Sequence, residues 1–235
     1  MSRSSREEWK TYKNVFDQSA LLNLEKLRSE GHFDELGSPI ALGKEANIFS
    51  ARKDDELIIV KIYRVENCNF NQMYRYIEPD PRFSGLKKRR RLIIFAWVQR
   101  EYRNLLKARE VIRVPKPIAV KDNILLMEFI GRDGELAPKL KDEKPKNPSD
   151  FFEKTIKCIK ALHGAGLVHA DLSEFNILNF EEEPLFIDLS QTTTTGHPQA
   201  REFLERDVHN IVKFFKRLGV ETDEKEVLVK ILKKD

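Results

Sequence analysis

Cysteine is nearly absent from the chain: Cys68 and Cys158 stand far apart, and neither belongs to a CxxC pair. That excludes a disulfide framework and a cysteine-rich zinc site, and a reducing, cytoplasmic setting is the expectation. Long apolar runs are missing too. No stretch approaches the ~18 apolar residues needed to cross a bilayer, and the polar opening Met1-Ser2-Arg3-Ser4-Ser5-Arg6 leads into no apolar signal core. Neither sign of charge dominates. The 42 Lys and Arg against 38 Asp and Glu leave a formal +4, far from the concentrated charge of a dedicated nucleic-acid binder. Glycine is sparse, and neither GxGxxG nor a GxxxxGKS or GxxxxGKT loop occurs, which argues against a P-loop NTPase. No internal repeat is visible. What remains is a chain of 235 residues, 40% hydrophobic, able to bury a core as one large domain or two small lobes.

Apolar spacing divides the chain. Residues Glu7 to Ser29 repeat at helical intervals, with Val15, Ala20, Leu21, Leu24 and Leu27 as candidate buried positions before Gly31. Short strand-like runs follow. Ile40–Leu42 and Ile48–Ala51 flank Gly43-Lys44-Glu45-Ala46-Asn47, and the polar turn Lys53–Glu56 leads into Leu57–Tyr63. Arg64 to about Leu86 keeps no period and reads as a long functional loop. A helix is expected over Arg91–Ala108, and a second hairpin over Ile118–Val120 and Ile124–Ile130. The polar stretch Gly131–Pro148 reads as a connector. Beyond it, Ser149 is placed to cap a helix carrying Phe152, Ile156, Ile159 and His163, with Phe151, Cys158 and Leu162 beside them. Runs Asn176–Phe180 and Leu185–Leu189 precede closing helices at about Pro198–Leu218 and Asp223–Leu232. A strand-rich half joined to a helix-rich half is α+β organisation in two lobes.

The chemistry gathers in five residues. Lys61 lies in a run that is apolar on both faces, where a charged amine is expensive to bury. Taken alone it reads equally as an edge-strand lysine reaching water. Glu101, however, falls on the helical stripe Ile94, Trp97, Val98, Leu105, and a carboxylate there needs a cation; Lys61 is the natural partner. His169-Ala170-Asp171-Leu172-Ser173-Glu174-Phe175-Asn176 is the strongest signal, because Asp171 and Asn176 keep the spacing of the kinase loop HRDLxxxN. There the aspartate accepts or orients the proton of the attacking hydroxyl, and the asparagine oxygen takes a metal. His169 reads as a structural histidine bonded to backbone. The strand Leu185-Phe186-Ile187-Asp188 ends on an aspartate where kinases place DFG, a ligand for a hard cation such as Mg2+ or Mn2+.

Around these, Gly43, Lys44, Glu45, Ala46 and Asn47 form a one-glycine turn in place of the usual GxGxxG; its backbone amides could cover a triphosphate, though composition alone does not show that they do. Met127-Glu128-Phe129-Ile130 reads by itself as a plain core strand; beside the other motifs it stands where an adenine ring would meet backbone groups of Glu128 and Ile130, with Met127 lining the pocket. The run Lys87-Lys88-Arg89-Arg90-Arg91 reads as a solvated helix start or as a contact for a phosphate-rich partner such as RNA. Thr192 to Thr195 read as a flexible polar loop that could also hold phosphoacceptors.

Three of these motifs together, GKEANIF at 43–49, HADLS at 169–173 and IDLSQ at 187–191, resemble the RIO family of atypical serine/threonine protein kinases, nearest its type-1 branch. The resemblance implies a bilobal kinase fold in reduced form. It would comprise a helical extension at 1–36, an N-lobe of antiparallel sheet plus helix at 37–130 with a flexible loop at about 64–86, and a mostly helical C-lobe at 131–235. It implies ATP contacts at Lys61, Glu128 and Ile130, metal contacts at Asn176 and Asp188, and Asp171 as proton acceptor. It also implies autophosphorylation (Ser84 is the candidate acceptor) or an ATPase cycle through a phosphoaspartate at Asp188. The expected partner is the maturing small ribosomal subunit, including its RNA. Two other readings remain open on the residues alone: a small-molecule kinase of the aminoglycoside or choline type, and a nucleotide-gated assembly module with little catalysis.

Overall fold

The computed structural model describes residues 18–66 and 68–233. Helix α1 (Gln18–Ser29) leads into strands β1 (Glu35–Leu42), β2 (Ala46–Lys53) and β3 (Glu56–Tyr63). Helix α2 (Phe70–Ile77) and a 3-10 turn at Pro81–Phe83 precede the long helix α3 (Arg90–Ala108). Strands β4 (Pro117–Lys121) and β5 (Ile124–Glu128) complete a five-stranded antiparallel sheet of order β1-β2-β3-β5-β4. A small hairpin, β6 (Gly131–Arg132) and β7 (Glu135–Leu136), follows. The second half holds helices α4 (Pro148–Gly164), α5 (Ala200–Lys216) and α6 (Glu224–Leu232), with short strands β8 (Leu167–Val168), β9 (Ile177–Phe180), β10 (Glu183–Phe186) and β11 (Thr193–Thr194). This is the expected α+β, bilobal kinase-like architecture.

The sheet is covered on both faces, which explains why β3 is apolar throughout. Ile58, Val60 and Ile62 pack with Ala20, Leu24 and Leu27 of α1 and with Phe33 and Phe49. The alternation of a strand then turns Lys61 and Tyr63 to the opposite face, where Tyr63 joins the main core with α3. Leu21 is half-buried beside that outer cluster, and Val15 lies outside the described residues.

Several expectations change. The segment 64–86, read as a flexible loop, carries the helix α2, and Cys68, Met73, Tyr76 and Ile77 are buried. Eight residues are too few to display a helical period to a sequence scan, and α2 is held by packing of Met73 and Ile77 into the main core instead. Helix α4 is capped by Asn147, which accepts from Asp150 N at 3.1 Å, with Pro148 at the first helical position; Ser149 already lies inside the helix. The run expected to continue to Leu189 ends as a strand at Phe186, because Asp188 takes a left-handed backbone (φ 59°) that pleated pairing does not accommodate. Thr192 and Thr193 are buried, and Thr193–Thr194 pair with β8, so these hydroxyls do not form a flexible acceptor loop.

Candidate active site

The site lies between the sheet and the second half of the chain. Lys61 donates from Nζ to Glu101 Oε1 at 2.8 Å and to Asp188 Oδ1 at 2.9 Å. One buried ammonium therefore ties β3, α3 and the loop after β10 together. Glu101 is 1% exposed, and its other oxygen accepts from the Tyr63 hydroxyl at 2.6 Å. Burial alone would depress the Lys61 pKa, but Asp188 and Glu101 reverse this and hold the amine protonated. Burial likewise opposes ionisation of Asp188, yet the Lys61 charge and the hydrogen bonds from Lys61 and Ser190 hold its carboxyl down to about 2.

The loop at His169 is anchored from below by α5. Asp207, 1% exposed, accepts from Ala170 N and Leu172 N, each at 2.8 Å. Arg206 donates to the Ala170 carbonyl, and Asn210 donates to that of Leu172 at 3.1 Å. Ala170 sits at φ 66°, a conformation costly for an alanine and retained because both its backbone groups are held from outside. Leu172, Ile177 and Leu178 are buried, so the loop is pinned while Asp171 stays half-buried at the cleft. Asp171 Oδ2 accepts from Gln191 Nε2 at 3.0 Å. Asn176 Nδ2 donates to the Asp171 carbonyl at 2.8 Å. Burial, and then the charge of Asp188, raise the Asp171 pKa to about 6, into the range where a carboxylate can exchange a proton near neutral pH. His169 is neutral: burial lowers its pKa to about 4, and Nε2 faces the Ile187 carbonyl at 3.2 Å. It is the structural, backbone-bonded histidine expected.

The turn Gly43–Glu45 joins β1 to β2 and overhangs the same cleft. Partial burial and then the Asp188 charge push the Glu45 carboxyl up, and Glu45 in turn acts on Asp171. Gly43 N donates to Ala46 O at 3.0 Å, and a Cβ on Gly43 would stand 2.8 Å from that oxygen, so the tight turn requires glycine. Lys44 is exposed, whereas Asn47 is buried. At the other end of the cleft, the Glu128 carboxylate is taken by Arg113 and Lys116 N, and its main-chain N–H donates to Lys116 O at 2.8 Å; Met127 is half-buried beside it and Ile130 is buried.

Among the described residues no group of three or more His, Cys, Asp or Glu side chains gathers around a point, so they form no metal cage of their own. The donor set is nevertheless suitable for Mg2+. Asn176 spends its amide nitrogen on Asp171, leaving Oδ1, and Asp188 spends Oδ1 on Lys61 and Ser190, leaving Oδ2 on a side chain 41% exposed. One carboxylate and one amide oxygen suit an ion whose other ligands are waters and phosphates.

The profile of the RIO domain matches residues 47–227. The chain belongs to the RIO family of atypical serine/threonine protein kinases. It is 42% identical over 219 residues to the RIO-type serine/threonine-protein kinase Rio1 of Haloferax volcanii, covering 92% of this chain and 76% of that one. It is 44% identical over 222 residues to the Rio1 kinase of Methanocaldococcus jannaschii, covering 94% and 77%. In fold it is similar to the Rio2 kinase of Chaetomium thermophilum solved as an ADP/Mg2+-phosphoaspartate complex, with a TM-score of 0.69 and 23% identity over 91% of this chain and 66% of that one. The two Rio1 relatives support the type-1 resemblance carried by the three motifs.

Sequence reasoning found Lys61, Glu101, Asp171, Asn176 and Asp188, and the structure brings all five to one cleft. It missed Tyr63, Asp207 and Gln191. Asp207 was within reach: it lies on the buried face of α5 with Phe203, Leu204, Val208 and Ile211, the same anomaly that singled out Glu101. Tyr63 and Gln191 had no such signal, because a strand tyrosine and a loop glutamine are ordinary until their partners are known.

Proposed function

We propose that the chain is an ATP-dependent serine/threonine protein kinase. The observation that carries this reading is the Lys61 ammonium held between Glu101 and Asp188 at 2.8 and 2.9 Å, with Asp171 across the cleft. Lys61 holds the nucleotide phosphates, the turn Gly43–Asn47 covers them, and backbone of Glu128 and Ile130 beside Met127 receives the adenine. Asn176 and Asp188 would hold a divalent cation, which would supply neutralisation of charge on the phosphates. Asp171 orients the attacking hydroxyl and takes its proton as the oxygen–phosphorus bond forms and ADP leaves. Among the protein's own hydroxyls, the exposed Ser84 is the candidate acceptor.

A second reading is favoured by the phosphoaspartate of the Rio2 neighbour: an ATPase cycle in which Asp188 itself takes the γ-phosphoryl group and water then releases it. Incubation with γ-labelled ATP separates the two. Acid-stable label on serine supports the kinase, and hydroxylamine-sensitive label at Asp188 supports the cycle. Transfer to a small alcohol or sugar with no self-labelling would overturn both in favour of a small-molecule kinase.

The proposed partner is a pre-ribosomal particle, met in a cytoplasmic setting. Its support is the family resemblance and the run Lys87–Arg91, every residue of which is exposed and, among the described residues, without a carboxylate partner. Lys88, Arg90 and Arg91 stack over Tyr74, Phe70 and Phe95, presenting cations and rings together. Neutralising three of the five is expected to weaken binding to small-subunit ribosomal RNA. The salt dependence of binding should flatten by about one unit for each phosphate no longer neutralised. Unchanged affinity and salt slope would remove this surface from the partner interface.

A further inference from the structure

The carbonyl groups of a loop need partners, and those after Asp188 find them in an unusual place. From Leu189 to Thr192, each of the four faces a donor on α3. Asn104 Nδ2 donates to Leu189 O at 2.9 Å and to Thr192 O at 2.7 Å. Arg100 Nη1 donates to Ser190 O at 3.2 Å, and Nη2 lies 3.5 Å from Gln191 O. Arg100 and Asn104 are both fully buried. Burial lowers the Arg100 pKa only to about 10, so a cation sits inside the protein at neutral pH.

That cation is balanced from the segment 64–86. Asp80, 5% exposed, places Oδ2 3.3 Å from Arg100 Nε. Asp80 also grips Arg82, accepting from its Nε at 2.9 Å and its Nη2 at 2.6 Å, and Arg82 Nη1 reaches Asn104 Oδ1 at 3.0 Å. The rings of Tyr76 and Trp97 lie under the Arg100 guanidinium. Both side chains that hold the loop are thus themselves oriented by the turn Asp80–Arg82.

We infer that Arg100 and Asn104 are positioning residues for Asp188, and that the Asp80–Arg82 turn of segment 64–86 is part of the active site through them. Lys61 fixes the Asp188 carboxylate; this network fixes the backbone that follows it, from Leu189 to Thr192. Asp188 needs the second hold because its φ of 59° is unfavourable for a non-glycine residue and persists only where surroundings impose it. Gln191, which contacts Asp171, lies on the same clamped stretch, so the hold reaches both sides of the cleft. None of these four residues touches the reacting atoms.

The inference rests on the kinase reading for its activity arm only. The variant is Asp80→Asn, which keeps shape and removes the charge opposite Arg100. Hydrogen exchange is measured on the full chain without nucleotide or metal, and transfer from labelled ATP is measured separately. Exchange at 189–193 is expected to quicken about ten-fold or more while β3 and β5 stay unchanged. Correspondingly, kcat falls about ten-fold with KM for ATP within about two-fold, and Asp80→Glu recovers part of it. Should Asp80→Asn fail to fold, Asp80→Asn/Arg100→Met removes both buried charges and carries the same expectation. Unchanged exchange in the loop, quickening spread evenly over the chain, or local quickening with wild-type kcat would each overturn the inference. A wild-type chain without phosphotransfer would instead overturn the kinase reading, and the exchange result would still decide the clamp.

Discussion

Replacing Lys61 by methionine tests whether the ion pair is as deeply buried as the structure places it. Lys61 is 5% exposed and Glu101 1%, so the variant leaves a carboxylate inside the core with only the Tyr63 hydroxyl as partner. Removing one member of a buried pair costs about 3–5 kcal/mol, because the remaining charge stays desolvated. For a chain of this size that corresponds to a fall in Tm of about 6–20 °C. Asp188 suffers less, since its partly exposed side chain is compensated by water. The double variant Lys61→Met/Glu101→Gln removes the stranded charge while keeping an oxygen for Tyr63, and is expected to recover all but about 1–2 kcal/mol. Neither variant should transfer phosphate. The pH dependence separates this from a packing defect. With Lys61 gone, burial holds the folded pKa of Glu101 above its unfolded value, so the ionised form opposes folding. Stability of the single variant should therefore rise as pH falls toward the ordinary carboxylate range, and the double variant should lack that rise. Urea denaturation at several pH values, with phosphotransfer assayed in parallel, measures all of this. A single variant that loses less than about 1 kcal/mol, or a double no more stable than the single, would refute the burial argument.

The other carboxylates give further outcomes. Asp171→Asn should lower phosphoryl transfer by about 10²–10⁴-fold with little change in Tm, because Asp171 lies at the cleft rather than in the core; an active variant would remove it from the mechanism. In the wild type, kcat/KM should rise with pH through about 6, the value to which burial and Asp188 raise Asp171, and then level off. Asp188, held down to about 2, contributes no limb in that range, and a flat profile would contradict the proton-accepting role. Asp207→Ala strands the buried N–H groups of Ala170 and Leu172, at about 1–3 kcal/mol each, and should cost both stability and activity. Asp207→Asn, keeping one acceptor oxygen, should retain part of each in denaturation and transfer assays.

The fold was legible wherever residues repeat over a long span or break a repeat. The stripe on α3 gave both the helix and Glu101, and Asp171 with Asn176 carried their meaning in a fixed spacing. The segment 64–86 was not legible, because α2 is short and owes its helical state to burial of Met73 and Ile77 against α3 and the second half of the chain. The buried pairing is written in the order of residues: the amine of Lys61 and the carboxylate of Glu101 on apolar faces announce it, since neither could be buried alone. How the aspartates are aimed is settled in three dimensions. The left-handed backbone at Ala170 and Asp188, the support from Asp207, and the hold of Arg100 and Asn104 join residues up to 91 positions apart. Such interactions form only once distant segments have packed together, and apart from the buried placement of Asp207 on α5 a local pattern carries no trace of them.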